Sequence, residues 1–193
     1  MKESRRAERR KEIEAAAYAL LMERGYAGTS MLEIAKRARA SNETLYRWYG
    51  DKPGLFAAMI RANAEAGLNA LSDMLDTDAA LDQRLHSFGT ALLMGVLSDR
   101  AIALNRAAAA DPSGELGAAL ARHGRGTVMP VLAKRLASLN GFDSAADAAE
   151  TFIALLIGDL QIRRVIGQLE APDGAFCAKR ANRAAKHFLT LAT

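Results

Sequence analysis

The chain has 193 residues, 50% of them hydrophobic and 25% charged, with four prolines and one cysteine. That length allows one or two compact units with a sizeable core, and the apolar fraction excludes a disordered chain. The longest uninterrupted apolar runs, 91–97 and 152–158, are seven residues each, against about 20 needed to cross a bilayer, so no membrane partner is expected. Cys177 alone can close no intrachain disulfide, which points to a reducing compartment. The basic start (MKESRRAERRKE) leads into no apolar segment and does not read as a signal peptide. A cytoplasmic location is expected.

The formal net charge is +4, and its placement is uneven. Residues 1–52 hold 12 Lys and Arg against 8 Asp and Glu, whereas the remainder carries 14 of each sign. A phosphate-binding surface leaves this footprint, and so does a solvated basic tail. Structure must separate the two.

Nearly every segment reads as helix. The first runs from about residue 5 to 24, with Ile13, Ala16, Ala17, Leu20 and Leu21 on one buried stripe. Gly25 stops it as a left-handed residue, and Tyr26 supplies the apolar contact that follows such a stop. Ser30 with Glu33 forms a capping box that opens a short helix to about residue 38. A three-residue turn follows (Arg39, Ala40, Ser41), and Ser41 caps a second short helix to about residue 48. Gly50 and Asp51 break that helix, and Asp51 caps the next. Longer helices are expected at 52–76, 79–97, 99–110, 113–138, 144–168 and 173–191, with Gly124, Gly126 and Pro130 kinking the fourth of these or splitting it into two shorter pieces.

Two short helices around a tight turn, behind a longer packing helix, form the pattern of a helix-turn-helix DNA reader. In the second short helix Leu45 and Tyr49 face inward, and Asn42, Glu43, Tyr46 and Arg47 face outward. That outer face offers amide, carboxylate, phenol and guanidinium groups to base edges and phosphates. Neither helix is long enough to be stable alone in water. Trp48 has two readings, core packing or an indole N–H donated to phosphate.

The stretch Gly25-Tyr26-Ala27-Gly28-Thr29-Ser30-Met31-Leu32-Glu33-Ile34-Ala35, followed by Ser41-Asn42-Glu43-Thr44-Leu45-Tyr46-Arg47-Trp48-Tyr49-Gly50-Asp51-Lys52 and Leu55-Phe56, closely resembles the N-terminal domain of TetR-family transcriptional regulators. The family pattern is G-x-x-x-T-S/T-x-x-x-I-A, then S-x-x-T-L-Y-x-Y/H/W-F/Y, then K-x-x-L-F/L, and it fits in register over about 50 residues. The resemblance implies that Thr29 and Ser30 touch phosphate, that Tyr46 donates its hydroxyl to phosphate, and that Lys52 pairs with phosphate. It places Asn42, Thr44 and Arg47 at base edges or the adjacent backbone, and Ser41, Glu43 and Trp48 complete the set of candidate DNA-binding residues. An arm around Arg5, Arg6 and Arg9 would follow the backbone or reach a minor groove.

Three positions depart from the family pattern. Arg39 stands where the turn often has Gly, so the backbone there must avoid or tolerate a left-handed conformation. Asn42 replaces a frequent Lys and Glu43 a frequent Gly. Glu43 needs a cytosine amino group, Arg39 or Arg47 as a partner.

The fold expected is all-α: a three-helix DNA-binding domain over 1–51, joined by a long helix to a helical regulatory and dimerisation domain over 52–193. The resemblance implies a repressor that binds a palindromic duplex operator as a homodimer and is released by a small-molecule effector. The last two helices supply the expected dimer face through Phe152, Leu156, Leu160, Phe176, Ala184 and Phe188; the same stripes also suit a core within one chain. Candidate effector contacts are His86, Arg106, Asp159 and Gln161, with Met74, Met94 and Met129 as adaptable lining or ordinary core filler. Asp159 and Arg163 equally suit a surface ion pair, and His86 an interior histidine.

An enzyme is the competing class. His86, His123 and His187 are far apart in sequence, Cys177 has no evident activating partner, and no catalytic or phosphate-binding signature is present. No catalytic residue, metal or cofactor is therefore assigned. A helical interaction module that has lost DNA binding is the second alternative, favoured by Glu43 and opposed by the basic first quarter.

Overall fold

The computed structural model describes residues 2–75 and 77–192, and every regular element among them is helical. α1 spans Lys2–Arg24 and buries the expected stripe of Ile13, Ala16, Ala17, Leu20 and Leu21. It ends at Gly25, whose φ of 70° makes the left-handed stop. α2 (Met31–Arg37) and α3 (Asn42–Tyr49) are capped by Ser30 and Ser41, which accept from the N–H groups of Glu33 and Thr44. α4 (Lys52–Leu75) begins where Asp51 accepts from the Gly54 N–H at 2.8 Å. α5 (Leu81–Val96), α6 (Asp99–Ala109), α7 (Glu115–Leu120), α8 (Gly126–Leu136), α9 (Ala145–Ile157), α10 (Leu160–Val165) and α11 (Gly174–Leu191) complete the order.

Two expected helices are divided. The run over 113–138 breaks into α7, a π-helical turn at Ala121–Arg125 and α8. The Thr127 hydroxyl donates to the carbonyls of His123 and Gly124 at 2.7 and 2.9 Å, tying the turn at its glycine. The run over 144–168 ends early at Gly158, whose φ of 50° lies in the region glycine favours. Arg180 Nε donates to the Leu156 carbonyl at 2.8 Å, taking up one acceptor that the helix end releases.

Contacts divide the chain into two units. The first comprises the residues up to Ala62 together with Ala103–Leu120; the second is Asn63–Ile102 with the chain from Ala121 onward. In the first, Ile13, Ala17, Ile34, Leu45, Leu55 and Phe56 are fully or almost fully buried, and Leu104, Ala107 and Leu116 join the same core. Tyr26 meets Phe56 edge-on at 5.2 Å between ring centroids. In the second unit α11 packs along α5 and α9, with α8 against α9. Its core is stitched by phenylalanines: Phe152 lies 6.2 Å from Phe88 and 5.4 Å from Phe188, which stacks on Phe142 at 5.0 Å. Cys177 is buried in this core, and burial raises its thiol pKa.

Arg164 is a buried cation, 7% exposed, and its guanidinium is spread across three acceptors. Nε donates to the Leu97 carbonyl at 3.1 Å, Nη1 to the Leu169 carbonyl at 3.1 Å, and Nη2 to Asp99 Oδ1 at 2.6 Å. α10 is thereby fixed to the α5–α6 junction. Arg164→Ala strips two main-chain carbonyls of their donor and is expected to lower stability by about 2–3 kcal/mol in a urea unfolding titration.

Candidate nucleic-acid interface

α3 is held from beneath. Leu45 is completely buried, Trp48 and Tyr49 pack half-buried against the core of the first unit, and Tyr46 stands 51% exposed on the other side with Asn42, Glu43 and Arg47. Burial pushes the Tyr49 phenol up to about 12, with Glu14 adding to the shift and Arg10 opposing it. The expected division of α3 into an inner and an outer face is therefore present.

The turn before α3 is fixed by main-chain geometry. The Ala38 N–H closes on the Ile34 carbonyl at 2.9 Å, the Arg39 N–H on Lys36 at 3.2 Å and the Ala40 N–H on Ala35 at 2.9 Å. The last two are the pair of bonds that end a helix when a left-handed residue stands between them. Arg39 is that residue, with φ at 51° where glycine would be unstrained. Its carbonyl accepts from the Arg9 guanidinium, so α1 holds the turn directly.

Ion pairs fasten α2 to the end of α1. Arg24 pairs with Glu33, and Arg37 with Glu23 at 2.8 Å. The Ser30 hydroxyl accepts from the Glu33 N–H at 3.2 Å and donates to its carboxylate at 3.0 Å, and the Ser30 main-chain N–H donates to the same carboxylate, which completes the capping box. These contacts hold the Glu33 carboxyl below its ordinary pKa. Lys52, at the start of α4, places its ammonium 4.0 Å from the centroid of the Tyr26 ring. Burial lowers its pKa and Asp111 opposes the shift. Asp111 lies in the 103–120 segment and accepts from the Leu116 N–H at 3.0 Å and the Ser113 hydroxyl at 2.8 Å.

Sequence comparison places these features in a family. Residues 13–59 match the bacterial regulatory proteins of the tetR family, and residues 83–191 match the AefR-like transcriptional repressor C-terminal domain. The chain belongs to the TetR family. A TetR regulator from Agrobacterium tumefaciens is 30% identical, with a TM-score of 0.73 over 95% of this chain and 93% of that one. A protein assigned to the TetR family from Mesorhizobium loti MAFF303099 has a TM-score of 0.81 at 24% identity, covering 95% and 96% of the two chains. The HTH-type transcriptional regulator YvkB of Bacillus subtilis (strain 168) is 35% identical over 83 residues, 43% of this chain and 42% of that relative. The aligned part thus spans less than half of the relative's length.

Within this TetR-family chain the individual expectations fare differently. Ser30, Ser41, Asn42, Glu43, Tyr46 and Arg47 are exposed on one unit, with Thr44, Trp48 and Lys52 half-buried beside them. Thr29 is corrected: it is 2% exposed, its hydroxyl donates to the Gly25 carbonyl at 2.8 Å and its N–H to Tyr26 at 3.2 Å, so it secures the loop after α1. Glu43 forms no ion pair with Arg39 or Arg47 among the described residues. Of the six side chains expected at a dimer face, Phe152, Leu156, Leu160, Ala184 and Phe188 are buried in their own chain's core, and only Phe176 is open to solvent, at 41%. A fully buried ring has no surface left for a partner, so that face is corrected too.

The four effector candidates do not form one site within either unit. Arg106 is exposed in the first; His86, Asp159 and Gln161 belong to the second. Asp159 pairs loosely with Arg163 at 3.9 Å and borders an open groove of about 720 Å³ along α11, together with Leu160, Phe176, Lys179 and Arg183. Gln161 donates to the Val96 carbonyl at 3.5 Å and lines a different hollow beside Asp147 and Glu150; half-buried His86 lines neither. Met94 is 54% exposed, Met129 packs on the second core, and the Met74 side chain lies outside the described residues. Among the described residues no cluster of His, Cys, Asp or Glu is placed to hold a metal ion, and no single helix is long and apolar enough to cross a membrane.

Two features of this interface had no direct sequence signal: the stacking of Arg6 and Arg10 on Trp48 and the arrival of Asp111 near Lys52. The strained turn is directly testable. Arg39→Gly relieves the left-handed penalty and keeps the carbonyl that Arg9 binds, so stability is expected to rise by roughly 0.5–1 kcal/mol in chemical denaturation.

Proposed function

We propose that this regulator represses transcription by reading a palindromic duplex operator as a homodimer, through the outer face of α3. The contrast across α3 carries the reading, because a helix this short, pinned by a wholly buried Leu45, presents Asn42, Glu43, Tyr46 and Arg47 to solvent. The charge excess of residues 1–52 adds the electrostatic footprint. Ser30, Ser41, Tyr46 and Lys52 meet phosphate in this reading, while Asn42, Thr44 and Arg47 approach bases and Glu43 accepts from a cytosine amino group. Two copies present their recognition helices one turn of DNA apart, about 34–36 Å. The partner docks on the outward sides of α9 and α11, which carry Ala154, Leu155, Phe176 and Arg183.

A small-molecule effector binds the second unit and favours a conformation that cannot engage the operator. It shifts the equilibrium only by its differential affinity for the two states, so operator weakens effector binding as much as effector weakens operator binding. The protein works in the cytoplasm, where both the operator and a reducing environment for Cys177 are found.

Selection of bound duplexes from a random pool tests the reading, and a palindromic consensus is expected. Arg47→Ala relaxes preference at one base of each half-site, at a cost of about 1–3 kcal/mol on the selected sequence. Lys52→Ala weakens all sequences alike and lowers the salt dependence by about 0.9 per lost phosphate contact. A pool that yields no consensus, or an Arg47→Ala protein with unchanged preference, overturns this assignment.

A further inference from the structure

We infer that Trp48 is a clamp holding the basic start of α1 as a helical ridge beside the recognition helix, and that this ridge is a second surface for the DNA backbone; the inference rests on the DNA-reading function proposed above. Arg6 and Arg10 lie one helical turn apart on α1, and their guanidinium carbons stand 5.4 and 6.0 Å from the centroid of the Trp48 ring. Arg9, on the adjoining face, donates to the Arg39 carbonyl. The first turns of α1 are thus fastened at two points, one on α3 and one on the turn that sets its direction.

The charge of this segment suits a polyanion. Residues 5–11 hold five cations and one carboxylate. Arg9 and Lys11 sit beside Glu12 and Glu8, whereas Arg6 and Arg10 rest on an uncharged indole and remain exposed. A guanidinium lying against an aromatic face keeps its N–H groups, which point outward in its own plane, so the ring contact and a phosphate contact are compatible. A side chain that already rests on a ring loses less freedom when it meets a phosphate. Trp48 therefore acts as a positioning residue, and the arginines it carries make the contact.

The test is a salt titration of the full-length protein on mixed-sequence duplex DNA. Each phosphate contact contributes about 0.9 to the slope of log affinity on log salt. The Arg6→Ala/Arg10→Ala double variant is expected to lower that slope by about 1–2 per protomer. Trp48→Ala lowers it by a similar amount, Trp48→Phe, which keeps an aromatic face, stays close to wild type, and Trp48→Ala added to the double arginine variant lowers it no further. The arginine variant changes only exposed side chains, so it decides the matter if Trp48→Ala does not fold. An unchanged slope in the arginine variant overturns the clamp, as does a Trp48→Ala protein that loses affinity with its salt dependence intact. Wild-type protein with no salt-dependent binding overturns the DNA-reading function itself, and the clamp with it.

Discussion

The burial of Leu45 against the first core is the contact on which the placement of α3, and with it the candidate interface, depends. A helix of eight residues forms too few hydrogen bonds to offset the cost of its own nucleation in water. Its stability must come from tertiary contact, and a fully buried leucine contributes about 1.5–3 kcal/mol. Trp48 and Tyr49 extend that contact along the same side. Once the inner face is fixed, the outer one is determined by helical geometry alone, because residues three and four apart share a face. The polar side chains proposed to meet DNA are thus placed by an apolar residue that touches none of it.

The first unit is not a contiguous stretch of sequence. The 103–120 segment contributes Leu104, Ala107 and Leu116 to its core and brings Asp111 near Lys52 and Tyr26. α4 continues past Ala62 and α6 begins before Ala103, so each of these helices belongs in part to both units. The partition at residue 51 taken from the sequence follows motifs, whereas the contacts follow packing. The surroundings of Lys52 at the start of α4 therefore include a residue far downstream in sequence.

Local rules made the beginning of the chain legible. Gly25, the Ser30 box, the Ser41 cap and the Asp51 cap are each written in a few neighbouring residues, and each sits as expected. Arg39 was legible as a problem, since a side chain occupies a position whose turn needs a left-handed backbone. What failed required knowledge of the surroundings. Gly158 interrupts an apolar run whose periodicity continues on both sides, so α9 and α10 read as one helix. An apolar stripe on the last two helices looks the same whether it meets its own core or a second copy; Phe152 and Phe188 proved to be core. Thr29 followed family resemblance to phosphate, but its hydroxyl found the nearer carbonyl of Gly25. The Trp48 stack joins residues some forty positions apart, beyond the reach of any local pattern.

The turn between α2 and α3 is held by carbonyl and amide groups, and its tie to α1 ends on the Arg39 carbonyl. None of these anchors involves the side chains of Asn42, Glu43, Tyr46 or Arg47. Selection can exchange those four without disturbing the frame that aims them, so a lineage descended from this protein is free to acquire new target sites while retaining its scaffold.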